Sequence, residues 1–248
     1  MFKGFYNLTS AMLTHQDHLN VIGNNMVNVS TAGYKQEQYT ATTFDDVLYN
    51  RVGNKDGRGT EIGRQSYIRA GSDIATDYTQ GTLEPTGQAM DFAIVGDGFF
   101  AIEKNGVRSY TRMGNFSLDE EGYLCLQDFG RVLDVNEEEI FLGTDRIVGD
   151  SQGIISYEDG GAVARLGVFS ADDLEALVHT PEGFFQGGNM TLNETAQVEN
   201  GILERANTDL VKQMTDMISV QRSLQSAAQI SRIYDQLMTK ATNELGRL

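Results

Sequence analysis

The chain has 248 residues, 40% apolar and 22% charged, with a formal net charge of −16. Such a length buries a core without staples, and the composition excludes collagen, mucin-like stalks and wholesale disorder. The acidic surplus excludes generic binding to nucleic acid or anionic membranes, and a single cysteine, Cys125, excludes a disulfide framework. No apolar run approaches the roughly 18 residues of a membrane span. Met1-Phe2-Lys3-Gly4 leads into a mixed polar stretch without a secretory apolar core, so the chain reads as soluble, and any export is expected to use no cleaved signal peptide.

From the start, Phe5, Leu8, Met12, His15, Leu19, Ile22, Met26 and Val29 recur at alternating steps of three and four. That 3.5-residue period is the repeat of a coiled-coil seam and predicts a helix over about residues 4–28. It is expected to stop near Ser30-Thr31-Ala32-Gly33, where Gly33 can take the left-handed conformation. Asn24, Asn25 and Asn28 crowd the last turns, and asparagine favours turning and local polar contacts.

Residues 50–75, with five glycines, read as an extended connector. Beyond them, short runs of β-formers such as Phe92–Val95, Phe99–Ile102, Tyr123–Leu126 and Ile154–Tyr157 are separated by turn pairs. Gly96-Asp97-Gly98, Asn105-Gly106, Glu121-Gly122 and Asp159-Gly160-Gly161 predict hairpins in an antiparallel domain. A short helix is expected at Ala171–Leu177, capped by Ser170, and Cys125 reads as a small buried hydrophobe.

Near the C-terminus, Leu210, Gln213, Met217, Val220, Leu224, Ala227, Ser231, Tyr234, Met238, Ala241, Leu245 and Leu248 repeat the three–four alternation. Val211, Met214, Ile218, Ile230, Ile233 and Leu237 broaden the stripe, so one seam does not exhaust the apolar face. Asn207, Thr208 and Asp209 can cap the helix start. Charge follows the same division. Residues 1–45 hold two basic and three acidic groups, residues 201–248 hold six and five, and residues 46–200 carry the entire excess. Neutral ends can crowd against copies of themselves, whereas the acidic middle prefers solvent.

No catalytic constellation assembles. His15 and His18 share a helical face, but no carboxylate or cysteine completes a metal spacing, and no phosphate loop or nucleophile elbow is present. Glu137-Glu138-Glu139 reads as a solvated face. The expectation is a protein that is not an enzyme and takes no cofactor or metal.

Four stretches carry a specific resemblance. LNVIGNNMVNVSTAGYK (Leu19–Lys35), QGTLEPTGQAMDFAIVGDGFF (Gln80–Phe100), YTRMGNFSLDEEGYL (Tyr110–Leu124) and NTDLVKQMTDMISVQR (Asn207–Arg222) follow one another in order. Together they resemble the signature blocks of the bacterial flagellar rod and hook protein family. Gly23 stands where that pattern has alanine, Met26 where it has leucine, and Ala206 where it has serine. At this length the chain looks most like a proximal- or distal-rod subunit, since hook proteins of the family insert more sequence centrally.

The combined expectation is an α+β chain: long N- and C-terminal helices forming a coiled-coil-like pair, with a central antiparallel β-rich domain. The boundaries are an N-terminal helix over 1–35, a connector over 36–79, a β-rich body over 80–200 and a C-terminal helix over 201–248. The resemblance implies a basal-body subunit polymerising into a helical tube that transmits torque and encloses an export channel. Its partners would be itself, other rod and hook subunits and the flagellar type III export apparatus, with no nucleic acid and no membrane insertion. The residues expected at subunit contacts are Leu8, Met12, Leu19, Ile22, Asn24, Asn25, Met26, Asn28, Asn207, Leu210, Met214, Met217, Val220, Leu224, Tyr234, Met238 and Leu245. Alternatives are a hook or hook-associated protein of the same family, a secreted β-domain enzyme with a coiled-coil handle, and a cytosolic coiled-coil adaptor. The terminal helices are expected to order on assembly, leaving about residues 80–200 as the protease-resistant part of a free monomer.

Overall fold

A computed structural model of the chain describes residues 2–43, 47–52, 59–65, 69–180 and 182–245, with side chains described for 4–41, 74–180 and 182–243. The contacts divide it into two units. The first comprises Met1–Met26, Glu37–Ala75 and Leu210–Leu248, and the second comprises Val27–Gln36 and Thr76–Asp209.

The first unit is built on helices α1 (Phe2–Val27) and α2 (Leu210–Leu245). They run side by side in opposite directions. Gly4 meets the Tyr234 hydroxyl near the start of α1, and Asn25 Nδ2 lies 3.5 Å from Gln213 Oε1 near its end. The heptad row of α2 is its covered face: Gln213, Val220 and Ala227 are buried, and Met217, Leu224, Ser231, Tyr234, Met238 and Ala241 are half-buried. The region read as a connector contains strands Glu37–Thr43, Val47–Val52, Gly59–Gln65 and Arg69–Thr76, paired first with fourth and second with third.

The second unit is the β body. A nine-stranded sheet has Phe99–Lys104 near its centre, flanked by Val107–Thr111 and Gly130–Val132, and joined also by Val168–Ala171. Its strand pairings are antiparallel, as the local turn signals require. Phe92, Phe100, Ile102, Leu124, Val132, Ile140, Ile155 and Val198 form the main core. Asn105-Gly106 makes the expected tight hairpin turn, with φ of 54° and 77° at its two residues, values that Asn and Gly tolerate best. Asp159–Gly161 likewise joins Ile154–Tyr157 to Ala162–Arg165, and Glu121-Gly122 sits between Ser117–Leu118 and Leu124–Leu126.

Three local expectations are corrected. Gly96-Asp97-Gly98 is not a hairpin turn: Phe92–Val95 pairs with Gln197–Asn200, while Phe99–Lys104 enters the large sheet, so the glycines turn the chain between sheets. Ala171–Leu177 is not a helix. Ser170 and Ala171 are drawn into pairing with Thr191 and Met190, and Asp173 Oδ1 then accepts the Glu175 N–H at 2.9 Å, closing a turn instead. Cys125 is half-buried, because strand alternation sends Leu124 and Leu126 into the core and turns Cys125 towards Ser117, with Sγ 3.5 Å from Oγ.

α1 closes near its expected end. A 3₁₀ turn over Asn28–Ser30 follows it, the Thr31 N–H donates to Asn28 O at 3.0 Å, and Gly33 takes φ +66°. Asn207 does not cap α2, because its side chain is committed to the body. The Thr208 hydroxyl, buried without a hydrogen-bond partner, does not cap it either.

Candidate functional site

Two features stand out, one in each unit. The first is the exposed flank of the helix pair. Heptad spacing turns Gln213, Val220 and Ala227 inward, so the residues broadening the stripe face out. Val211 (73%), Met214, Ile218, Ile230, Ile233 and Leu237 (59%) are all exposed. On α1, Phe5, Tyr6 and Leu13 are exposed too. A groove is lined by Leu8 of α1 and by Ile218, Arg222, Ala227 and Ile230 of α2. Covering a large apolar side chain is worth roughly 1.5–3 kcal/mol, so exposed apolar side chains in two clusters along α2, Val211–Ile218 and Ile230–Leu237, offer area for an interaction surface.

At one end of the pair, Asn25 is buried and uses both ends of its amide on one backbone residue. Nδ2 donates to Glu37 O at 2.8 Å while the Glu37 N–H donates to Oδ1 at 2.9 Å. Nearby, His18 stacks on Tyr39, with ring centroids 5.5 Å apart. Burial lowers the His18 pKa below its usual 6.5, Asp216 opposes that shift, and His15 adds to it.

The second feature is an ionic hub inside the β body. Lys35 Nζ lies 2.7 Å from Glu204 Oε1, and Arg112 Nη1 lies 3.2 Å from Glu204 Oε2. Lys35 and Glu204 are each 1% exposed, and Arg112 is also buried. Main chain supplies further partners, although the buried Arg112 Nε has none. Lys35 donates to Thr79 O at 2.8 Å, Arg112 Nη2 to Gly96 O at 2.7 Å, and the Gly81 N–H to Glu204 Oε1 at 2.8 Å. Burial pulls both the Lys35 ammonium and the Arg112 guanidinium below their ordinary pKa, and the Glu204 carboxylate opposes this in each case. Asn207 extends the hub, accepting the Gln36 N–H at 2.7 Å and donating to Asp77 O at 2.7 Å and Thr79 O at 3.1 Å.

The residues expected at subunit contacts separate accordingly. Leu8, Met12, Leu19 and Ile22 on α1, and Met217, Val220, Leu224, Tyr234 and Met238 on α2, are buried or half-buried. Leu210 and Met214 are exposed on α2, and Asn24 is exposed on α1. Asn25 is buried, Met26 and Asn28 are half-buried, and Asn207 belongs to the ionic hub. The side chain of Leu245 lies outside the described ones. Lys35, Arg112 and Glu204 were missed as site residues, although Lys35 and Arg112 stand inside the quoted blocks as isolated cations in an acidic chain. Glu137 and Glu139 lie at the surface, paired with Arg108 and Arg131. Among the described residues no group of three His, Cys, Asp or Glu side chains could hold a metal, and no helix is long and apolar enough to cross a membrane.

The described residues thus carry two long helices with exposed apolar side chains and a β body with a buried ionic hub. Residues 5–35 match the flagella basal body rod protein family, residues 93–157 the flagellar hook protein FlgE/F/G D1 domain, and residues 199–244 the C-terminal region of flagellar basal body rod FlgEFG proteins. The chain is 31% identical to the flagellar basal-body rod protein FlgG of Bacillus subtilis (strain 168), over 98% of its own length and 99% of that protein. It is 28% identical to the flagellar basal-body rod protein FlgF of Caulobacter vibrioides and 26% identical to the flagellar hook-basal body complex protein FlhO of Bacillus subtilis, over the full length of each. The chain belongs to the flagellar basal-body rod protein family and is a structural subunit of the flagellar basal body.

Proposed function

We propose that the subunit polymerises through α1 and α2 into a helical tube, with the helices towards the inside and the acidic β body outside. The rod so formed transmits torque and encloses the channel through which later subunits pass. The carrying observation is the set of exposed apolar side chains on α2, Val211, Met214 and Ile218 in one cluster and Ile230, Ile233 and Leu237 in another. Head-to-tail contacts that do not close into a ring propagate as a filament, and such side chains supply apolar area for them. In this reading α1 and α2 act as a coiled-coil-like pair within each subunit. The subunit-contact set comprises the helix residues predicted from sequence, with the exposed flank added.

The same reading makes the chain non-enzymatic. It has the subunit leaving the cytoplasm through the flagellar type III apparatus without a cleaved signal peptide, and meeting other rod and hook subunits as partners. The test is to label the protein in purified basal bodies and locate it along their axis. Label confined to the rod supports the proposal, whereas label absent from basal bodies, or confined to the hook, rejects it.

A further inference from the structure

We propose that Thr31–Gln36 is a strap, recognised by the β body as a tethered peptide, which keeps the N-terminal segment anchored even where α1 is not folded. This does not depend on the polymerisation reading.

The strap belongs with the body and not with the helix it follows, since Val27–Gln36 groups with Thr76–Asp209. It is held along both backbone edges. The Gly33 N–H donates to Glu204 O at 2.7 Å, the Gln36 N–H donates to Asn207 Oδ1 at 2.7 Å, and Gln36 O accepts the Asp77 N–H at 2.8 Å. Three consecutive side-chain positions then fix its register. At Gly33 a Cβ would fall 2.2 Å from Arg112 C, and φ is +66°, so only glycine fits. Tyr34 is buried edge-on to His179, with ring centroids 6.1 Å apart. Lys35 delivers its ammonium to Glu204.

The receiving groove has partners besides the strap. Glu204 keeps Arg112 and the Gly81 N–H, and Asn207 keeps the Asp77 and Thr79 carbonyls. Residues 37–75 separate the strap from the rest of the body in sequence, and the entropy of closing such a connection grows only slowly with its length. Docking of the strap is therefore a local equilibrium, separate from folding of the body core.

Native-state hydrogen exchange on the full-length monomer tests this. In the wild-type protein the Gly33 and Gln36 amides are expected to exchange more slowly than mid-α1 amides such as Met12, with the core amides of Phe100 and Ile102 slower still. Lys35→Met removes the key but leaves Glu204 paired with Arg112. It is expected to speed Gly33 and Gln36 exchange by roughly 100-fold or more while Phe100 and Ile102 stay protected. Gly33→Ala acts on the backbone instead of the charge and is expected to do the same. The proposal is overturned if the strap exchanges at the rate of α1 in the wild type, if either variant leaves it protected, or if the core loses protection in step with it.

Discussion

Asn25 binds Glu37 as a neighbouring β-strand residue would, accepting its N–H at 2.9 Å and donating to its carbonyl at 2.8 Å from one buried amide. The asparagine amide offers both a donor and an acceptor on one short planar group. Asn25→Asp keeps the shape and the acceptor, but sets a carboxylate oxygen against a carbonyl. A loss of about 2–3 kcal/mol is expected in urea unfolding followed by helical circular dichroism. An unchanged midpoint would show the contact to be dispensable.

Within the β body, Glu204 is the carboxylate paired with two buried cations at once. Glu204→Gln removes the charge that both Lys35 and Arg112 contact and is expected to destabilise the body by about 3–5 kcal/mol. Adding Lys35→Met removes one of the orphaned charges, so the double variant is expected to be more stable than Glu204→Gln alone. Additive losses in chemical unfolding would contradict a shared ionic hub.

Glycines 23 and 33 stand ten residues apart and make opposite predictions. Gly23 lies in α1 with open space where a Cβ would go, so Gly23→Ala is expected to stabilise the helix by about 0.5–1 kcal/mol. Gly33→Ala meets both a left-handed backbone and the Arg112 main chain, and a loss exceeding ~1–2 kcal/mol is expected. Thermal melts of the two variants shifting in the same direction would disprove the assignment.

Acid is expected to loosen the helical unit through His18. Its folded-state pKa is lowered by burial, so the stacked, neutral ring is favoured in the fold. The contribution is fully present above the unfolded value of 6.5 and is lost as pH falls through the lower folded-state value. The urea midpoint of the helical signal is expected to drop between about pH 7.5 and pH 5, and to drop less in His18→Gln. Asp216 and His15 face the same ring, so identical pH profiles for the two proteins would remove His18 as the cause.

The helices were legible because their period is local. The row from Gln213 to Ala241 can be read from spacing alone, and the same row is the covered face of α2. The hairpin at Asn105-Gly106 was legible for the same reason, since two residues fix the turn. What sequence spacing did not reveal depends on partners far away in the chain. Gly96–Gly98 looks like a hairpin until Gln197–Asn200 takes the strand before it, and Ser170 looks like a cap until Thr191 pairs with it. The ionic hub joins residues 35, 112 and 204, which no local pattern connects. Asn207 has the composition of a cap, yet its amide is taken by Gln36, Asp77 and Thr79. Thr31–Gln36 groups with the body unit although it lies far from residues 80–200 in the chain, a placement that spacing alone does not show.

We propose that the exposed apolar side chains of α2 join subunits. Ile230 is one of them, so Ile230→Asp adds a charge at a surface position and leaves the covered row of α2 intact. Incorporation of Ile230→Asp into purified basal bodies, measured beside its monomer melting curve, is the most direct measurement. The predicted result is a monomer that melts like wild type but is missing from rods, in cells that do not swim. A variant that enters rods in normal amounts and restores swimming would contradict the claim.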